Sequence, residues 1–388
     1  MIKNNRQLRY VIMAFLALCA LLGWLLVRPY LGQTNLKTLA STSGISTVKV
    51  PPGFRVELFA SGLQDPRFIS FGPDGALYVA ERGANRIVAL VDRNRDGSVD
   101  QQTTFAENLQ RPHSLVFHQD AWFVGVPSGI VRLRDRDGDG LAEERQVLID
   151  DYPTSGHNTR TVAFLPDGRM VVSIGSSCNV CDESDARRAA VMIYDGQQAT
   201  GERVFARGLR NAVGLAVHPD TGELWATNNG RDMLGDDLPP DDLYIVRDGL
   251  DYGWPRCHSG TIEDPEFGGP GACRGIVKPV VSIQAHSAPL GLAFYTGKSF
   301  PAEYHGDLFI AYHGSWNRSV PTGYKVVRLP LDGSEPRGEL QDFATGWLDK
   351  TTGQASGRPV GLAVGPDGAL YVSDDKAGMI YRISYPGV

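Results

Sequence analysis

Helical signal is almost missing from this sequence. Outside one apolar run near the N-terminus, no segment sustains a 3.6-residue period, so strands must carry the fold. A basic excess is missing too, and the net charge of -6 argues against a general nucleic-acid binder. Cysteine is scarce, at five residues. No c-type haem attachment motif occurs: in Cys178-Asn-Val-Cys181 the next residue is Asp182, where a His would be needed. What the chain does have is Gly 45 and Pro 24, a turn-rich composition suited to an all-β fold.

The N-terminus is the exception. Lys3, Arg6 and Arg9 precede an uncharged run from Tyr10 to Val27, closed by Arg28 and Pro29. That is the length of the shortest spanning helices, and no A-x-A cleavage site follows it. The positive N-terminal flank predicts an N-in anchor with the rest of the chain on the periplasmic side of the membrane, a cleaved signal being the alternative. Cys19 invites a lipoprotein reading, but Leu18 stands before it where a small residue is expected. The expected organisation is an anchor over 1–29, a polar linker over 30–48 and one domain over 49–388. Beyond Cys19, the cysteines Cys178, Cys181, Cys257 and Cys273 suggest two local disulfides, 178–181 and 257–273. The first pair could instead bind a metal or cycle in redox.

Internal repetition dominates the rest. An alternating strand, a turn resembling Pro-Asp-Gly and a second alternating strand recur six times: FISFGPDGALYVAE (68–81), SLVFHQDAWFVGV (114–126), TVAFLPDGRMVVSI (161–174), GLAVHPDTGELWAT (214–227), GLAFYTGKSFPAEYHGDLFIAY (291–312) and GLAVGPDGALYVSD (361–374). Each phrase has a further short strand before it and another after it. Six four-stranded antiparallel units predict a six-bladed β-propeller, with VELFASGL (56–63) pairing into the last blade to close the ring.

In such a ring the connection from the outer strand of one blade to the inner strand of the next crosses the mouth of the central channel. Those connections carry Arg67, then Arg111 and His113, His157 and Arg160, Arg210 and Asn211, His286, and Arg358. Cations that converge in a narrow mouth repel unless an anion sits among them, which predicts a multiply anionic ligand on the axis. Arg suits planar carboxylates through its bidentate fork. In the fourth blade, Asp232, Asp236, Asp237, Asp241 and Asp242 crowd around Gly and Pro, a pattern suited to Ca²⁺. Asp92–Gly97 and Asp135–Gly140 begin like EF-hand loops but lack the Glu at position twelve, and read as peripheral Ca²⁺ loops or plain Asp/Gly turns.

With these residues in view, the chain resembles the soluble glucose and sorbosone dehydrogenases that use pyrroloquinoline quinone (PQQ), in their sorbosone and pyranose dehydrogenase branch. The resemblance covers roughly residues 50–385. It is carried by PPGFRVELFASGLQDPR, SGHNTRTVAFLPDG, GLRNAVGLAVHPDTGELW, DDLYIVRDGLDYGWP, and HSAPLGLAFY with AYHGSWNRSVPTGYKVVR. It implies His157 as general base for a sugar or aldehyde substrate. Arg210, Asn211 and Arg358 are implied as PQQ contacts; Arg67 and Arg160 join them from the cationic ring, and His286 is a further contact or a packed core histidine. The resemblance further implies Gly230 and Arg231 carbonyls on a quinone-side Ca²⁺, and Asp241, Asp242 and the Tyr252 carbonyl on a structural Ca²⁺. A Gln, a Lys and an Arg of the glucose branch fall here on Ala76, His313 and Ser356, with His313, Trp316, Asn317 and Arg318 as the replacing contacts. With no haem motif, electrons would leave to a separate quinone or cytochrome. Two other readings compete: a Ca²⁺-dependent propeller hydrolase, and a propeller that binds a sugar polymer or a protein without catalysis.

Overall fold

The computed structural model describes residues 47–387. The predicted anchor over 1–29 and nearly all of the linker lie outside the described residues. Among those described, no helix is long and apolar enough to cross a membrane.

Six four-stranded antiparallel sheets form the blades of a propeller. Their innermost strands are Pro66–Phe71, Ser114–His118, Arg160–Phe164, Leu215–Val217, Pro289–Phe294 and Pro359–Val364. Each repeated phrase is the inner hairpin of one blade. The predicted closure is present: Arg55–Ser61 pairs antiparallel with Met379–Ser384, so the first strand completes the last blade. Both predicted disulfides are present, Cys178–Cys181 and Cys257–Cys273.

Alternation puts every second side chain between neighbouring blades, and the cores lie there. Tyr78 and Ala80 of blade 1 pack with Leu115, Trp122 and Val124 of blade 2, and Phe59 and Ile380 of blade 6 pack with Ile69 and Leu77 of blade 1. Each such buried side chain contributes about 1.5–3 kcal/mol. At the axis, hydroxyls tie blade to blade: Ser114 donates to the Arg160 carbonyl, Thr161 to that of Val213, Thr227 to that of Leu290 and Ser373 to that of Arg67. The recurring Gly-Leu-Ala has the same origin. A Cβ on Gly214 would stand 2.0 Å from the Leu290 carbonyl oxygen, and one on Gly291 2.4 Å from that of Val360, so only glycine lets the inner strands approach.

Antiparallel order brings two connections of every blade to one face: from the outer strand to the next blade's inner strand, and from the second strand to the third. The mouth is therefore built from twelve loops, not six. Ala76 sits at the opposite end of blade 1, in the inner hairpin, and is buried in the core. Its divergence from the glucose branch has no bearing on the mouth.

Candidate active site

A cavity of about 390 Å³ opens at the axis, within the size range of sites for one small molecule. Its lining includes His157, Arg67, Arg210, Asn211, His286, His313, Trp316, Asn317 and Arg358, together with Gly230 and Asp241. Most of the predicted set thus converges. Arg160, Arg318, Arg231, Asp242 and Tyr252 do not line this cavity, and blade 2 contributes nothing to it. Arg111 sits in a separate surface depression with Arg82 and Asn85, and His113 is buried behind Arg67, whose Nε faces the His113 Nδ1 at 3.5 Å.

His157 is held from one side only. Its Nδ1 lies 3.1 Å from the Ser176 carbonyl oxygen and 2.9 Å from Ser176 Oγ, which itself donates to the Cys178 carbonyl at 2.7 Å. That hydroxyl proton is committed, so Nδ1 carries the hydrogen and Nε2 keeps its lone pair. Nε2 has no partner among the described residues. Burial, then the charges of Arg210, Arg188 and Arg160, lowers the imidazole to about 4. That is well below the near-neutral value expected from the residue type, and it leaves the ring unprotonated at any physiological pH. Arg160 acts on the frame instead of on a ligand. It is fully buried, and its guanidinium donates to the carbonyls of His157 (3.1 Å), Thr159 (2.7 Å) and Pro153 (2.6 Å). Arg188, which the repeat pattern did not single out, donates to the same His157 carbonyl at 3.2 Å.

The mouth is less cationic than its arginines suggest, because it supplies its own anions. Asp375 accepts from both Arg67 and His313 Nε2, the latter at 2.9 Å. Burial opposes ionisation of Asp375, but the His313 hydrogen bond and the Arg67 and Arg358 charges hold it at about 2. On the other side Asp232 accepts from Arg210 at 2.9 Å and from Asn317 at 2.8 Å. Arg210 is fully engaged: its other contacts are Asn179 and the carbonyls of Asn229 and Gly230. Arg67 and Arg358 are not. Arg358 donates through Nε to the His313 carbonyl (3.0 Å) and through one terminal nitrogen to that of Gly314 (2.6 Å), leaving its other terminal nitrogen without a partner among the described residues. One terminal nitrogen of Arg67 is equally uncommitted. His286 is a strut, with Nε2 on the Gly235 carbonyl at 2.9 Å and Nδ1 facing Asn317 at 3.4 Å.

Asp241 and Asp242 are neighbours on the strand Asp241–Val246, so the pleat sends their carboxylates to opposite faces. Asp241 faces the axial cavity and accepts the backbone N–H of Gly230 (2.9 Å) and Ala288 (2.8 Å). Asp242 lies on a cavity of about 10 Å³, large enough for one ion or water, shared with Tyr252, Ser259 and Gly230. There it accepts the hydroxyls of Ser259 and Tyr244 at 3.0 Å each and of Ser282 at 3.2 Å. Burial raises both carboxyls to about 7. The Arg231 guanidinium points away, onto Asp264 (2.5 Å) and Glu266 (2.8 Å). Arg318 ties its loop to Asp236 and Asp237. The Ser356 hydroxyl donates to the Trp347 carbonyl at 3.2 Å.

Asp375, Ser176 and Asn179 are the residues the sequence did not reveal. All three follow the second strand of a blade, where the sequence was read in blades 4 and 5 but not in blades 3 and 6. The signal was available: Ser176, Asn229, His313 and Asp375 stand one or two residues after the strands Met170–Ile174, Leu224–Asn228, Leu308–Tyr312 and Leu370–Asp374.

The family model described as Domain of unknown function (DUF7133) matches residues 41–382. The chain belongs to the DUF7133 family. Among curated relatives of this DUF7133 chain, an uncharacterized protein of Borreliella burgdorferi is 29% identical over 369 residues, covering 90% of this chain and 93% of that protein. The pyrroloquinoline quinone-dependent pyranose dehydrogenase of Coprinopsis cinerea is 28% identical over 87% of this chain, which spans only 54% of that enzyme. The PQQ domain of that pyranose dehydrogenase, in its holo form, superposes with a TM-score of 0.75 at 24% identity, covering 87% of this chain and 97% of the domain. That structural likeness is one of fold. The chain resembles the PQQ-dependent sugar dehydrogenases, as its motifs implied.

Proposed function

We propose that this chain is a PQQ- and Ca²⁺-dependent dehydrogenase that oxidises a sugar hydroxyl or a sorbosone-like aldehyde hydrate. The observation that carries the proposal is the pairing of a neutral His157, its Nε2 lone pair free, with uncommitted guanidinium edges of Arg67 and Arg358 in one axial cavity. The donor set fits PQQ: two open N–H edges from different blades suit separate carboxylates of a rigid planar anion. One buried carboxylate, Asp242, beside a cavity of single-ion size that also takes in Tyr252 and Ser259 fits a structural Ca²⁺ there. When bound, PQQ would supply the two-electron hydride acceptor and a separate quinone-side Ca²⁺ the Lewis acid, the ion near Asp242 being structural.

The chain's own residues supply position and proton transfer. His157 Nε2 takes the proton of the substrate hydroxyl, and the Ser176 carbonyl shares the positive charge that develops on the ring. Trp316 is 67% exposed at the rim and offers an apolar face to an incoming sugar. A separate quinone or cytochrome would remove the electrons, with the domain held at the periplasmic face by the run Tyr10–Val27. A hydrolase would need acids and amides free for an axial metal. Asp232 is committed to Arg210, and Asp241 to two backbone amides, which disfavours that reading.

His157→Ala tests the assignment. Turnover should fall by about 10²–10⁴, while PQQ affinity, followed by cofactor absorbance, stays within threefold of wild type. Loss of PQQ binding in this variant would place His157 in the cofactor pocket and remove it as the base.

A further inference from the structure

The Cys178-Asn-Val-Cys181 segment has no part in the chemistry above, yet both halves of the site lean on it. The disulfide closes a ring of four residues at the mouth, directly after the second strand of blade 3. Asn179, at its tip, makes five polar contacts with blade 4. Its carbonyl accepts Arg210 Nε at 2.9 Å and Trp254 Nε1 at 3.3 Å. Its side-chain oxygen accepts a terminal Arg210 nitrogen at 2.9 Å and the Asp232 backbone N–H at 2.8 Å, and its side-chain amide donates to the Asp232 carbonyl at 3.0 Å. At the base of the ring, the Cys178 carbonyl takes the Ser176 hydroxyl proton, the bond that fixes the tautomer of His157. Glu183 anchors the same turn by accepting the Ser177 N–H and hydroxyl at 2.6 and 2.7 Å.

Two guanidinium nitrogens landing on two oxygens of one residue fix the plane of Arg210, not merely its place. Asn179 also holds the backbone of Asp232, whose carboxylate is the counter-charge of that guanidinium. Ordering a loop that makes so many contacts costs backbone freedom. The disulfide removes part of that freedom beforehand.

We propose that Asn179, presented by the Cys178–Cys181 ring, is a positioning residue that sets the guanidinium plane of Arg210 and the register of the 229–236 loop against the cofactor cavity. It touches no reacting atom and acts through Arg210 and Asp232. The inference rests on the PQQ reading for its functional consequence, but its structural part does not.

The test uses the full chain, as wild type, as Asn179→Ala and as the double variant Cys178→Ser/Cys181→Ser, which keeps Asn179 but opens the ring. Two readouts are taken: amide hydrogen exchange of segment 229–236 without cofactor, and PQQ affinity with Ca²⁺ present. Both variants should speed exchange in 229–236 by about tenfold or more, while strand Met379–Ser384 is unchanged. Both should weaken PQQ binding by about tenfold, the size of one lost charge-assisted contact. Wild-type exchange in Asn179→Ala would overturn the proposal. So would faster exchange with unaltered PQQ affinity, since Asn179 would then be structural only. If wild type itself fails to bind PQQ, the dehydrogenase reading falls, and the exchange comparison alone decides the positioning role.

Discussion

At the scale of single residues, the mouth sorts its arginines into three kinds. Arg160 serves the backbone, Arg210 is saturated by Asn179, Asp232 and two carbonyls, and Arg358 keeps a nitrogen open to the cavity. Residue type alone could not separate them, because all three lie at the entry to an inner strand of a blade. What distinguishes them is where neighbouring carbonyls and acids lie, and those come from loops of other blades. The distinction is testable. Arg358→Ala should weaken PQQ affinity by about 10- to 100-fold, one charge-assisted hydrogen bond being worth roughly 1.5–3 kcal/mol. Arg160→Ala should instead lower stability and disturb His157. A titration of both variants with PQQ separates the cases, and unchanged affinity in Arg358→Ala would end its role as a carboxylate clamp. The low His157 value bears on pH. Its imidazole must be neutral to accept a proton, so the acid limb of kcat/KM should fall well below pH 6.5.

At the scale of elements, the strand Asp241–Val246 shows how far a sequence reading goes and where it stops. The acid cluster around it was legible, as were all six inner hairpins, the closing strand, both disulfides and the convergence of His157, Arg67, Arg210 and Arg358. Local alternation and turn chemistry encode those features. The division of labour between Asp241 and Asp242 was visible only once the strand existed, because adjacent residues on a pleat face opposite ways. Asp375 was missed for a related reason: its role is set by Arg67, more than three hundred residues away in sequence, across the ring closure. The raised carboxyl of Asp242 makes a prediction. A folded-state value above the unfolded one means that Asp242 costs stability as pH rises from about 4 through about 7. In metal-free protein, Asp242→Asn should therefore gain in Tm relative to wild type between pH 5 and pH 8. Added Ca²⁺ should raise the Tm of wild type and not of the variant. Equal Ca²⁺ stabilisation in both would remove Asp242 from any ion site.

At the scale of the whole molecule, the ring is held by one non-local seam. Arg55–Ser61 reaches the last blade, and just before it Phe54 packs edge-on against Phe300, Tyr304, Phe343 and Tyr385. Phe54→Ala should destabilise the propeller by about 3 kcal/mol, read as a shifted denaturation midpoint with unchanged slope. A negligible shift would mean that closure depends on strand pairing alone. The same closure brings Arg67 of blade 1 beside Asp375 of blade 6, so the axial cavity exists only in the closed ring. The account as a whole stands on what that cavity binds. The most direct measurement is a titration of the full chain in detergent with PQQ and Ca²⁺, followed by cofactor absorbance, then by a panel of aldoses and ketoaldehydes with a dye acceptor. The account predicts Ca²⁺-dependent binding at micromolar PQQ or below and reduction of the bound cofactor by at least one sugar; no binding at that concentration would contradict it.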